Sequence, residues 1–172
     1  MKPFIISNVN ARHDGAATAA LNCQQYLDQN DCFAYFVTLL KQAQLWESIN
    51  NLGPITLLAP TNTALRSLDD HWQEVFTHQA HVLDLRAFLS AQFIFGQHST
   101  QTLVERAELT QDRKLLLDTL CGRPLQLDLI DQYLRIQTPG NMTIELGASN
   151  HSLSAMTVHV VDRFTPLSKA AA

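Results

Sequence analysis

The chain has 172 residues, of which 46% are hydrophobic and 16% charged, with a formal net charge of −4. A chain of this length forms one domain and buries roughly 70% of the surface its unfolded form exposes, so it needs neither disulfide nor metal to be stable. Its charge is sparse against the about 25% of an average domain, which leaves no basic footprint for nucleic acid or an anionic membrane, and its apolar content excludes disorder.

Residues 1–15 show no sustained period, and Asn8, Asn10, Asp14 and Gly15 mark a loose arm. A first helix is expected over Ala16–Gln29, with Ala17, Ala20, Leu21 and Leu27 as its apolar residues. Asn30-Asp31 interrupts it, and the Asp31 carboxylate is expected to cap a second helix by accepting from its first-turn amides. Phe33, Phe36, Val37, Leu40 and Ala43 recur at three- and four-residue steps, placing them on one face of that helix, which should run to Asn50-Asn51. Ile55–Ala59 reads as a short buried strand, and Pro60-Thr61-Asn62 turns it into a helix carrying Ala64, Leu65 and Leu68. Asp70–Ala91 is expected to be helical with a break near His81, its apolar side formed by Trp72, Val75, Phe76, Leu83 and Ala87. Phe93-Ile94-Phe95 then leaves as a strand ended by Gly96.

The second half of the chain is mostly strands. Leu125, Leu127 and Leu129 alternate with Gln126 and Asp128, so one face should be buried. After Asp131-Gln132 come strands at Tyr133–Gln137, Met142–Leu146 and Thr157–Val161, separated by turns at Pro139-Gly140-Asn141 and Ala148-Ser149-Asn150. Helices first and antiparallel strands later imply an α+β domain.

No stretch reaches the roughly 18 apolar residues that a bilayer-spanning helix needs. Met1–Asn8 lacks the 7–15-residue apolar run, roughly, of a secretory signal, so a native start at Met1 implies the cytoplasm. Cys23, Cys32 and Cys121 are odd in number and are expected to be free, buried thiols.

Separated segments together resemble the fasciclin domain. The first signature is an apolar strand entering Ala-Pro-Thr-(Asn/Asp)-x-Ala-Phe, matched by Thr56-Leu57-Leu58-Ala59-Pro60-Thr61-Asn62-Thr63-Ala64-Leu65 with Leu65 in place of Phe. Here Pro60 ends the ladder, and Thr61 or Asn62 caps the following helix. The last signature is matched by Thr157-Val158-His159-Val160-Val161-Asp162-Arg163-Phe164-Thr165-Pro166, which keeps the family's His, Asp, alternating aliphatics and Pro, although the Asn-Gly turn before them has become Ala155-Met156. Between them, the family's Leu-x-x-x-Leu-x-Tyr-His-Val-Val-x-Gly reads Leu85 to Leu89 and then Ala91-Gln92-Phe93-Ile94-Phe95-Gly96, so the Tyr-His pair has become Ala91-Gln92. A Leu-x-Gly-x-x-Leu step appears at Leu120 to Leu125.

The resemblance covers residues 31–168, leaving 1–30 as an N-terminal arm and helix and 169–172 as a tail. It implies a fasciclin fold, with a helical N-terminal half packed on a wedge of two small β-sheets. It further implies a non-catalytic protein-interaction or cell-adhesion module without an obligatory cofactor, working outside the cell or in the periplasm on a protein or cell-surface partner. A homo-oligomer is compatible with the low charge. Loss of the Tyr-His pair removes the segment tied to receptor binding in matrix relatives. Some relatives are proposed to bind small apolar molecules, which gives the alternative of a binding protein, or an enzyme derived from one, for a hydrophobic ligand.

Candidate site residues come from both the residue patterns and the resemblance. Phe93, Ile94 and Phe95, with Phe88 upstream, form an aromatic-aliphatic patch that is core packing by default but would suit an apolar ligand or partner if one aromatic faced a cleft between helices and sheet, with Gln92, Phe93 and Phe95 as its candidate binding residues. His159 and Asp162 allow a carboxylate-oriented imidazole, or a structural histidine on a central strand. His71, Glu74, His78 and His81 fall within an arc of about 80° on a continuous helix, where imidazoles and a carboxylate could converge on zinc, or simply form a solvated face. A helix break near His81 would scatter them. Asn141-Met142-Thr143 and Asn150-His151-Ser152 are glycosylation sequons of a kind expected by chance.

Overall fold

Apolar spacing and capping chemistry set the helices. The computed structural model describes residues 22–138, 142–146, 151–153 and 156–166. The arm 1–15, the start of the first expected helix through Leu21, the turns at 139–141 and 148–150, both sequon asparagines, Ala155 and the tail 169–172 lie outside the described residues. Helix α1 spans Cys23–Asp28, and Asn22 caps it: its side chain accepts from the Gln25 amide while the Gln25 side chain accepts from the Asn22 amide.

Helix α2 covers Ala34–Gln42 after a 3-10 turn at Asp31–Phe33. Two expectations fail here. Asp31 caps nothing with its carboxylate, because it lies inside the 3-10 turn and only its backbone carbonyl is used. The helix also ends well before Asn50, because Gln44 takes a left-handed conformation (φ 59°) and reverses the chain. A 3-10 turn at Ile49–Asn51 leads to strand β1, Ile55–Pro60, which is buried along its whole length.

Thr61 caps helix α3, Asn62–Arg66, by accepting from the Ala64 amide at 3.2 Å. Helix α4 spans Asp70–Thr77 under an Asp69 cap and buries Trp72, Val75 and Phe76 as expected. The break near His81 is a 3-10 turn at Gln79–His81, followed by α5 at Val82–Ser90. That turn rephases the helix, so Leu85, Phe88 and Leu89 are buried, while Leu83 is 77% exposed and Ala87 is also outside, against expectation.

Strand β2 is Phe93–Phe95. An unexpected helix, α6 at Thr100–Glu108, comes next under a Ser99 cap; with only Leu103 and Ala107 buried, its apolar signal is faint. Strands β3 (Lys114–Leu117), β4 (Leu125–Ile130), β5 (Tyr133–Thr138), β6 (Met142–Leu146), β7 (His151–Leu153), β8 (Met156–Val161) and β9 (Thr165–Pro166) complete the order.

Two small sheets result, in strand orders β2-β1-β8-β7 and β3-β4-β5-β6-β9. The second is antiparallel throughout, whereas in the first β1 and β8 run parallel, with Ile55 opposite Met156 and Pro60 opposite Val161. An antiparallel bridge between Ile94 and Thr119 ties β2 to the connection between β3 and β4. Helices and sheets share one core, within which Phe88 meets Trp72 (centroids 4.8 Å), Phe76 (5.5 Å) and Phe164 (5.8 Å). Each such aromatic pair adds about 0.5–1.5 kcal/mol beyond its buried area. No helix among the described residues is long and apolar enough to cross a membrane.

Candidate functional site

The segment Ala91–His98 crosses from α5 through β2 toward α6, and its residues divide sharply between core and surface. Ala91 and Gln92 are fully buried. Gln92 ties α5 to β1: its amide donates to Leu89 O, its carbonyl accepts from the Leu58 amide at 2.8 Å, and Nε2 donates to Phe88 O at 3.2 Å. Its Oε1 is buried without a hydrogen-bond partner. Phe93 is turned into the core, stacked on Phe36 with centroids 6.4 Å apart. Phe95, on the same strand, is 46% exposed.

What holds Phe95 in place is a set of backbone and polar ties. On the outer edge of β2 its amide donates to Asp118 O, and the Leu120 amide donates to Phe93 O, both at 2.9 Å. The chain then turns through Gly96 (φ 86°), whose amide donates to Pro54 O. Thr56 on β1 clamps the turn from below: its hydroxyl donates to Gly96 O at 2.7 Å and accepts from the His98 amide at 2.8 Å.

His98 completes the corner. Arginine can only donate, so the 3.2 Å contact from Arg106 on α6 requires a lone pair on His98 Nδ1. The hydrogen therefore sits on Nε2, which donates to Phe95 O at 2.9 Å. Burial, opposed by that bond and reinforced by the Arg106 charge, pushes the imidazole below its ordinary range and favours this neutral form.

His159 is buried on β8, and its Nε2 lies 2.8 Å from His98 O. A carbonyl only accepts, so this histidine donates to the same turn and serves as a strut. Asp162, past the end of β8, is exposed. The Nε2 hydrogen of the His159 imidazole is thus committed to a backbone oxygen.

The histidine face is divided by the helix break. His71 lies exposed, edge-on to Trp72 at 5.4 Å. His78 has left the helix in extended backbone, with Nδ1 3.2 Å from Glu74 O. His81 turns to Asp84, Nδ1 to carboxylate 3.7 Å, and its ring centroid is 6.5 Å from that of His78. Among the described residues no group of three or more His, Cys, Asp or Glu side chains is gathered for a metal ion. The three thiols are free: Cys23 is buried, which pushes it up to about 12, while Cys32 and Cys121 are half-buried.

Of the residues singled out from sequence, Phe95 and His159 meet at this corner, one as its exposed ring and the other as its support. The sequence shows Thr56 only as part of a signature strand, and it does not single out His98 or Arg106. For His98 and Arg106 the sequence signal is the Ser99 cap, since the helix that delivers Arg106 is polar overall and buries only Leu103 and Ala107.

The family profile described as the fasciclin domain matches residues 31–165. Among solved structures, a FAS1 domain pair from the insect cell adhesion molecule fasciclin I is similar, with a TM-score of 0.64 at 16% identity over 81% of this chain. The chain spans 46% of that two-domain protein. No curated protein matches.

Proposed function

Because the chain belongs to the fasciclin domain family, we propose that it works as a non-catalytic module for protein interaction or cell adhesion, meeting its partner through the surface around Phe95. In this reading it acts outside the cell or in the periplasm, on a protein or cell-surface partner. The observation that carries it is the fixed exposure of Phe95: a large ring 46% open to solvent, on a short strand tied on both edges and followed by a clamped turn. A ring carried on backbone that is already ordered costs less entropy to bind than one on a mobile loop, which is the character of an interface anchor. The apolar-ligand alternative draws no support from Phe93, whose ring packs on Phe36.

The test is capture by beads coated with the protein, scored on cells and on secreted proteins. Phe95→Ala should lose most capture while keeping its circular dichroism and melting temperature. Leu109→Ala, which alters another exposed apolar residue, should capture normally. Equal capture by the Phe95 variant, or none by the parent, would sink the reading.

A further inference from the structure

We propose that the outer face of the antiparallel sheet docks a second copy of this chain, across a two-fold axis that runs along the strands between β4 and β5. Leu115, Leu127, Ile136 and Ile144 are buried in the core, so their neighbours along each strand face outward. The register lines up one row of these neighbours across four strands. Lys114 lies opposite Asp128, Asp128 opposite Arg135, and Arg135 opposite Glu145, so the row alternates in sign from edge to edge. Flanking it on β4 and β5, Gln126 lies opposite Gln137 and Ile130 opposite Tyr133.

Alternating charges stabilise a sheet by themselves through cross-strand pairs, and Arg135–Glu145 at 3.3 Å is one of these. Large apolar side chains on the same face serve no such purpose. Leu116, Ile130 and Tyr133 are nevertheless 67%, 40% and 64% exposed, three of the seven exposed large apolar side chains among the described residues. Asp128 accepts from Gln126 Nε2 at 2.8 Å and from Gln137 Nε2 at 3.2 Å, and among the described residues no ion pair meets its charge.

A two-fold rotation about that axis carries β4 over β5 and β3 over β6, so the charge row meets its own reverse. Lys114 then faces Glu145 of the second copy and Asp128 faces its Arg135, which gives opposite signs at every position of the row. Ile130 comes over Tyr133, and Gln126 over Gln137, whose amides can donate to and accept from one another. Stacked sheets lie about 10 Å apart with their strands within about 30°, a gap that long side chains span. A partner of a single charge sign would meet like charges at alternate positions, and a wholly apolar one would leave all of them unpaired. Four short strands offer less area than a standard interface, so the dimer is weak and depends on concentration. The Phe95 surface takes no part, and either proposal can fail alone.

Sedimentation equilibrium of the full chain, up to roughly 1 mM, should show a monomer–dimer equilibrium. The dimer should weaken about tenfold or more in about 1 M sodium chloride, where charges are screened beyond about 3 Å. Lys114→Glu and Glu145→Lys each bring like charges together and should each weaken it about tenfold or more. Mixed in equal amounts, these two variants should form a heterodimer of near-parental affinity, because each face is then the complement of the other; mixing could not repair a folding defect. Tyr133→Thr, which keeps strand propensity, should weaken the dimer at an unchanged melting temperature. A chain that stays monomeric throughout, any single variant that dimerises like the parent, or no heterodimer on mixing overturns the proposal.

Discussion

Asn62 ties two helix ends together with one side chain. Its Oδ1 accepts from the Tyr35 amide at 2.9 Å, and its Nδ2 donates to Asp31 O at 3.0 Å. The first turn of α2 has no capping side chain of its own, so Asn62 supplies that cap from another helix while Thr61, one residue earlier, caps α3. Removing the amide leaves a helix-start N–H without its partner, and caps of this kind contribute about 0.5–2 kcal/mol. Asn62→Ala should therefore destabilise the protein by about 1–2 kcal/mol in urea titrations. Asn62→Asp, which keeps the acceptor, should recover part of the loss. The Pro-Thr-Asn run was legible as a strand end followed by a helix start; the division of labour was not, because the second helix end approaches only after folding.

The corner between β2 and α6 belongs to the scale of elements, since β1, β2, α6 and β8 all contribute ties to it. A Cβ added at Gly96 would sit 2.9 Å from His98 Nε2, and the position also has φ 86°. Gly96→Ala should cost about 1–2 kcal/mol for the left-handed backbone alone. It should also displace the imidazole from Phe95 O, visible as a shifted His98 resonance.

The neutral His98 gives the corner a pH dependence of definite sign. In the folded protein its affinity for a proton is lowered below the ordinary value of 6.5, so just below that pH the unfolded chain binds more protons. The stability it contributes is fully present above 6.5 and is lost as pH falls through that value toward the lower folded pKa. Four groups face the imidazole ring and the backbone on which it is carried: the Arg106 guanidinium from α6, the Phe95 carbonyl from β2, the Thr56 hydroxyl from β1 through the His98 amide, and His159 from β8 through the His98 carbonyl. Urea titrations from pH 8 to pH 5 should show His98→Gln losing less stability than the parent; parallel curves would contradict the assignment.

For the whole molecule, the parallel pairing of β1 with β8 is decisive. It joins the middle of the chain to its last third and places β8 in the interior of its sheet, with β7 on the far side. The common core then connects that sheet to the other, and the Ile94–Thr119 bridge ties β2 to the connection between β3 and β4. Such a structure has no half that keeps its core alone. Indole emission and far-ultraviolet dichroism should therefore report one coincident urea transition. A chain ended after residue 155 loses β8 and β9, and with them the partner of β1. It should show no near-ultraviolet dichroism, whereas native-like signals from it would show that the core forms without β8 and contradict this dependence.

Local chemistry determined most of the elements of this protein. Alternation fixed the buried face of β4, the break near His81 arose from residues around it, and the Thr61 cap and the strand before it were legible in ten consecutive residues. Such features arise among neighbours in sequence, where spacing and propensity carry the information. Only the tertiary structure decided which rings were free. Phe93 and Phe95 share one short strand, yet one stacks on Phe36 from α2 and the other reaches solvent at the end of the sheet. His159 was legible as a residue on a central strand, but its role as a strut depended on a carbonyl from a distant turn. Contacts of that kind close large loops and are paid for by the packing of the whole core, which no local pattern records.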